Sequence, residues 1–482
     1  MSVRNLEPKA VWNHFADLNA VPRASKKEEE VIQFMMDFGN KLGFKTFNDE
    51  VGNVFILKPG SKGFEGRPKV ILQGHIDMVH QKNADVEFDF ATQGIDMIVE
   101  GDWVRANGTT LGSDNGIGVA MIMALLSSTD LDHPPLEALF TIDEETGMTG
   151  ALGLKEGVLE GRIMINLDTE DDDEITIGCA GGIDVTAFKT PEMESTPAGT
   201  KTFKISVNGL NGGHSGMDII KGLGNANKIM NRMLWKMRES FSLRVSEITG
   251  GGLRNAVPRE SFAKVCVPTD KVEAWKNEFA SRAAVIKNEY VSNDSGLHIE
   301  IEETTDAAQV VTETSQDAIL AAIYATFNGI YRMSPDIPDL VQTSNNLAKV
   351  TITSEKFEVL CLTRSSLDTE KFDLANALTA AFEHAGFEMD LSGSYPGWTP
   401  APKSDLVEMM RDLYLEMFEE EPKVMACHAG LECGILSTNY PGMDMISFGP
   451  NIRGAHSPDE KCQISSVNKS WSYFLEGLKR IK

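Results

Sequence analysis

Val70-Ile-Leu-Gln-Gly-His75-Ile-Asp77-Met-Val-His80 is a short apolar run that stops in a polar His-x-Asp. Similar runs stand at residues 53–57, 138–142 and 163–167. None alternates cleanly between apolar and polar residues, so the pattern predicts a sheet buried on both faces. Residues 116–126 are small and apolar throughout and predict a buried helix. Residues 27–42 place Val31, Ile32, Phe34, Met35, Phe38 and Leu42 on one helical face. This alternation predicts an α/β sheet with helices on both sides. In such sheets ligands and catalytic groups gather at the carboxyl ends of strands, which is where His75 falls.

Working outward, the texture changes after Gly182. An alternating strand is expected at 201–207, helices at 222–238 and 271–287, and strand material at 255–267. A second set follows: strands at 298–303, 346–354, 356–365 and 388–391, with helices at 315–327 and 373–385. From Pro400 the first texture returns, with helices at 405–418 and 465–481 and strands at 423–426 and 443–448. The expected organisation is a catalytic α/β domain built from 1–184 and 395–482, with an α+β domain inserted at 185–394. The inserted part reads as one α+β unit given twice, although no fixed-period self-similarity marks the duplication.

Lys plus Arg is 45 and Asp plus Glu 71, a net charge of −26 over 482 residues. With no basic tract, nucleic acid and anionic membranes are poor partners. The N-terminal residues lack a basic-then-apolar signal pattern, and no apolar run approaches the ~18–20 residues of a membrane span. The six cysteines are scattered without a CxxC pair, which predicts reduced thiols and a cytoplasmic protein.

Four further segments carry candidate chemistry. Asp114 lies in the glycine-rich Gly108-Thr-Thr-Leu-Gly-Ser-Asp114-Asn-Gly-Ile-Gly118, just before the buried helix. An aspartate there is also an ordinary helix cap. Asp143, Glu144 and Glu145 end an apolar strand, where like charges need a cation, a proton or an exit to water. Such a pair suggests divided work for Glu144 and Glu145, one as ligand and one as general base. Asp168 ends another apolar run, and the acids from Glu170 to Glu174 read as solvated. His456 lies in a Gly/Pro loop after a late strand. Alone, His75-x-Asp77 more often marks a capped strand end. Together, His75, Asp114, Glu145, Asp168 and His456 offer mixed N/O ligation, suited to Zn²⁺, Mn²⁺ or Co²⁺, with Asp77 placed to orient His75.

GHIDMV, GTTLGSDNGIG, TIDEETGMTGA, NLDTE, NGGHSG and GAHSPDE occur in this order. The set resembles the co-catalytic zinc exopeptidases related to carboxypeptidase G and the carnosinases, and within them the bacterial aminoacyl-histidine (cytosol non-specific) dipeptidases. The resemblance covers essentially the whole chain. It implies a zinc-exopeptidase-like domain with an inserted lid. It implies two divalent ions, Zn²⁺ first with Co²⁺ or Mn²⁺ as alternatives. Asp114 matches the bridging ligand, His75 and Asp168 the ligands of one ion, and Glu145 and His456 those of the other. Glu144 matches the general base acting on a water between the ions, and Asp77 the aspartate behind His75. A cis peptide is implied at Asp114–Asn115. His214 and Asn255 match groups that bind substrate. Arg364, in Leu362-Thr-Arg-Ser-Ser, reads either as a planar fork for the substrate's C-terminal carboxylate or as one half of a strand-end salt bridge, and Gly430 as backbone at the substrate's carboxyl end.

The implied reaction is hydrolysis of dipeptides with free termini, Xaa-His included. An N-acyl amino acid deacylase on the same scaffold is the alternative, because fold and metal site do not fix the substrate. The inserted segment is about twice the family's common small lid. In small-lid relatives a dimer partner delivers the lid histidine, and a doubled lid could supply it within one chain, so homodimer and monomer both remain open.

Overall fold

The computed structural model describes residues 2–482. The chain forms two compact units. The first comprises 1–179, 398–426 and 431–482; the second comprises 180–397 together with a short return, 427–430.

The first unit is built on an eight-stranded sheet. Its central strands Val70–His75 and Leu136–Thr141 are buried at every position. Val70–His75 runs parallel to both Leu136–Thr141 and Ile163–Asn166, and Ile163–Asn166 runs parallel to Asp444–Ser447. Parallel neighbours bring their carboxyl ends to one edge of the sheet. His75, the Asp143–Glu145 acids and Asp168 follow three of those ends, so topology alone gathers them. The helix Ser113–Ser127 is interrupted by non-helical backbone at Asp114 and Asn115; beyond them it is apolar all round and accordingly buried almost throughout. A separate four-stranded sheet was not foreseen: Met97–Glu100, Trp103–Ala106, Ile452–Arg453 and Lys461–Gln463. It makes the His456 loop a hairpin anchored on Trp103–Ala106.

The second unit is built on one nine-stranded sheet with helices, and two two-stranded pairings accompany it. Thr200–Asn208, helix Ala226–Phe241, Arg244–Gly251, Ser261–Pro268, helix Val272–Glu289 and His298–Glu303 form a β-α-β-β-α-β run, with spatial strand order 4-1-3-2. The second run, into which the first is inserted, has the same order. It consists of Gly181–Lys189, helix Glu313–Ala325, Val341–Ile352, Phe357–Ser365, helix Asp368–His384 and Glu388–Tyr395. The second strands of the two runs pair antiparallel, Ile248 opposite Ile352 and Gly251 opposite Lys349. The α+β unit is therefore given twice, but as a single sheet. One hydrophobic core, with Phe203 and Trp275 from one run and Leu347 and Phe382 from the other, extends under both.

Candidate active site

His75, at the end of its strand, is 1% exposed. Its Nδ1 faces Asp77 Oδ1 at 3.3 Å. Its Nε2 stands 3.2 Å from Asp114 Oδ1 and 3.5 Å from Asp168 Oδ1. On the other side, His456 Nε2 lies 3.2 Å from Asp114 Oδ2 and 3.0 Å from Glu145 Oε2. One carboxylate thus shows an oxygen to each imidazole. Two triads result, His75–Asp114–Asp168 and Asp114–Glu145–His456, each with ligand atoms within 4.8 Å of one another. The Asp114–Asn115 peptide is cis.

The protonation pattern fits a site built for cations. Burial works against charge on His75, yet Asp168, Asp114 and Asp77 push it well above the ordinary histidine value. Hydrogen bonds to Asp114 and Glu145 hold His456 up to about 11. Burial, opposed by His75, lifts Asp168 to about 6. Burial raises Glu145 as well, as does the charge of Asp114. Asp114 moves the other way: burial opposes its charge, but the bonds to His456 and His75 take it well below the carboxylate range. Glu145 Oε1 is buried without a hydrogen-bond partner among the described residues. Two imidazoles and three carboxylates converging in this way fit two divalent ions, which bind such ligands deprotonated and release their protons.

Asp77, 0% exposed, does two jobs. Besides facing His75, it accepts from the amides of Glu144 at 3.1 Å and Glu145 at 3.3 Å, and from Ser25 Oγ at 2.8 Å. It therefore registers the acidic turn against the histidine. Glu144 belongs to neither triad. Burial, then the charges of Asp168, Glu145 and Glu432, raise its carboxyl well above the ordinary range, against the pull of His75. Asp143 is hydrogen-bonded rather than turned to the triads: Lys26, Thr146 and Thr149 all donate to it. Glu28, Asp77 and Asp143 make a third acidic cluster behind the turn, without an imidazole.

The expectation that Glu170 and Glu174 are solvated needs correction. Both are only partly exposed. Burial, then Asp114 and Asp168, push Glu170 to about 8, and burial raises Glu174 too.

Three buried residues were missed by the sequence reading. Arg23 and Glu460 are 1% and 2% exposed and bond to the backbone around Asp114. Glu432, 1% exposed, accepts from Gln73 Nε2 at 2.7 Å and Thr141 Oγ1 at 2.5 Å. Gln73 in turn accepts from Asn166 Nδ2 at 2.5 Å. This network joins the three strands that lead to His75, Glu144 and Asp168. Burial pushes Glu432 to about 8. For Glu460 the only available signal was its place in GAHSPDE; Arg23 and Glu432 had none.

The second unit brings together the other sequence candidates. His214 pairs with Ala256 in a two-residue bridge beside Asn255. Its Nδ1 accepts from the amides of Gly216 at 3.2 Å and Met217 at 3.0 Å, so a neutral ring carries its proton on Nε2. Ser215 N donates to Asn255 O at 2.7 Å, and Arg364 Nε donates to Ser215 Oγ at 3.3 Å. Asn255 itself is exposed. Arg364 is 4% exposed and makes no ion pair among the described residues; its Nη1 donates to Tyr395 Oη at 2.9 Å. His428 joins them: its Nε2 lies 2.7 Å from Ser344 Oγ, and Ser344 is the cross-strand partner of Arg364. Burial, then the charges of Arg364 and His214, push His428 down to about 3, so it adds no positive charge. Gly430 lies in the same 427–430 loop, which receives Ala180 N on the carbonyls of Cys427 and Ala429.

Comparison with known proteins places the chain in a peptidase family. The pattern of Peptidase family M20/M25/M40 matches residues 71–480. The chain is 41% identical over 476 residues to the cytosol non-specific dipeptidase of Escherichia coli, covering 99% of this chain and 98% of that protein. The crystal structure of aminoacylhistidine dipeptidase from Vibrio alginolyticus is 41% identical and superposes with a TM-score of 0.93, covering 100% of this chain and 98% of that one. Aminopeptidase PepT from Bacillus cereus shares the fold at 14% identity, with a TM-score of 0.57 over 99% of both chains.

Proposed function

The chain belongs to peptidase family M20/M25/M40, and from that premise we propose that it is a two-metal dipeptidase acting on dipeptides with free termini, Xaa-His included. The observation that carries the reading is Asp114, whose two oxygens face His75 and His456 separately. One ion would be held by His75, Asp114 and Asp168, the other by Asp114, Glu145 and His456. Zn²⁺ is the first candidate, and Co²⁺ and Mn²⁺ accept the same donors. When bound, the ions supply Lewis acidity toward the attacking water and the peptide carbonyl.

The chain's own residues do the rest. Glu144 takes the proton of the attacking water and returns it to the leaving amine. Its environment suits the task, because a carboxyl raised by burial holds a proton more readily than an exposed one. Asp77 fixes the ring of His75 and the backbone of Glu144 together. His214 Nε2–H is a donor for the scissile carbonyl. Arg364, a buried cation without an ion pair among the described residues, takes the substrate's C-terminal carboxylate, with Asn255 and Gly430 as neighbouring contacts. Both relatives at 41% identity are dipeptidases by name, which favours this activity over an N-acyl amino acid deacylase. A cytoplasmic location suits a chain whose cysteines form no disulfide among the described residues and whose relative is named for the cytosol.

The test is a panel of dipeptides, N-acetylated dipeptides, dipeptide amides and N-acyl amino acids, offered to chelator-stripped protein with Zn²⁺, Mn²⁺ or Co²⁺ restored. Free dipeptides should be the best substrates, and only with metal. Faster turnover of N-acyl amino acids would replace the reading with the deacylase.

A further inference from the structure

Arg23 and Glu460 are buried charges that make no ion pair with each other or with any described residue. Between them lies the turn 111–114. Glu460 Oε2 accepts from the amides of Leu111 at 2.7 Å and Gly112 at 2.9 Å. Its Oε1 accepts from the amide of Ser113 at 2.7 Å, the Ser113 hydroxyl at 2.6 Å and the amide of Asp114 at 3.3 Å. From the opposite side, Arg23 Nη2 donates to the Gly112 carbonyl at 2.5 Å and to Asn19 Oδ1 at 2.8 Å. Arg23 Nη1 donates to the carbonyls of Ile76 at 3.2 Å and Asp77 at 3.0 Å.

A carboxylate thus holds the N–H side of the turn and a guanidinium its C=O side. The same guanidinium reaches the chain just beyond His75. The fit is tight at Gly112: its φ is +69°, and a Cβ there would lie 2.4 Å from Arg23 Nη2. Glu460 also ends the loop that carries His456, with its amide bonded to Ser457 O at 3.0 Å. Burying an unpaired charge is costly, and here both charges are directed at the backbone around one aspartate.

We infer that Arg23 and Glu460 are a coupled pair of positioning residues that hold the Asp114 turn so that one carboxylate can serve two ions. The inference rests on the two-metal reading. Neither residue belongs to either triad; the pair acts through the turn, and its effect should appear in the ion that binds second, which needs the shared carboxylate already engaged.

The experiment is calorimetric titration of stripped protein with Zn²⁺ for wild type, Glu460→Gln, Arg23→Lys and the double variant, each checked by circular dichroism and metal-free melting. Glutamine turns an NH₂ toward backbone amides; lysine keeps the charge but cannot span the Gly112 and Ile76/Asp77 carbonyls together. Each single variant should keep the native spectrum and bind one ion as wild type does. The second ion should bind roughly 10–100-fold more weakly, and kcat should fall with KM unchanged. The double variant should be no worse than the worse single, because both act on one turn. Unchanged second-ion affinity in both variants, even with lowered melting temperatures, would overturn the inference. So would strictly multiplicative losses in the double variant. A wild-type protein that binds only one ion would overturn the two-metal reading instead.

Discussion

Asp114 faces His75 and His456 with one oxygen each, whereas Glu144 is held through its amide by Asp77, and the roles of the two acids separate on substitution. Glu144→Gln keeps the shape but cannot accept a proton. It should lower kcat roughly 10²–10⁴-fold while metal content by elemental analysis stays at the wild-type level. Asp114→Ala removes an oxygen from each triad and should lose both ions; two ions retained would refute the shared role. At this scale the sequence was readable where an acid or histidine closed an apolar run, as His75, Glu145 and Asp168 do. It was silent where a charge bonds backbone distant in the chain. Arg23 meets the Gly112 carbonyl 89 residues away, and Glu432 meets Gln73 across 359 residues. No local pattern encodes such partners.

Among the elements, the helix Ser113–Ser127 shows how packing sets the site. Gly118 lies against the chain leading to Asp168, and a Cβ there would meet Leu167 O at 2.4 Å. Gly118→Ala should therefore destabilise the protein by ~1–3 kcal/mol, measured by denaturant unfolding, through overpacking against backbone. The strand Phe357–Ser365 gives a functional counterpart. Arg364→Ala should raise KM for free-acid dipeptides roughly 10–100-fold, the worth of a charge-assisted hydrogen bond, and change dipeptide amides little. Equal losses on both substrate classes would make Arg364 a structural residue. Periodicity located this strand and the long helices. It missed the hairpin Met97–Glu100/Trp103–Ala106, whose partner strand Lys461–Gln463 is three residues long and far away in sequence. Consequently the loop of His456 could be named but not its support.

For the whole molecule, the balance of charge predicts how metal and pH trade places. Glu170 and Glu432 are pushed to about 8 and His456 to about 11, so the metal-free native state holds more protons than the unfolded chain above the ordinary carboxylate and histidine values. Stability then falls as pH rises. His428, down at about 3, works the other way only up to the ordinary histidine value near 6.5, and Lys58 and Lys228, lowered to about 8, only above that. Between about pH 6.5 and 8 the melting temperature of stripped protein should therefore decline, and added Zn²⁺ should reverse the trend because it needs deprotonated ligands. A metal-free melting temperature that climbs through that window would contradict the proton inventory. The doubled topology was legible only as two similar successions of strand and helix; that they merge into one sheet depends on the Ile248–Ile352 pairing, which no local pattern announces. The most direct test of the two-metal account is anomalous diffraction from Zn²⁺-loaded crystals. It should show two peaks flanking the Asp114 carboxylate, one beside His75 and Asp168 and the other beside Glu145 and His456. A single peak, or peaks away from Asp114, would contradict it.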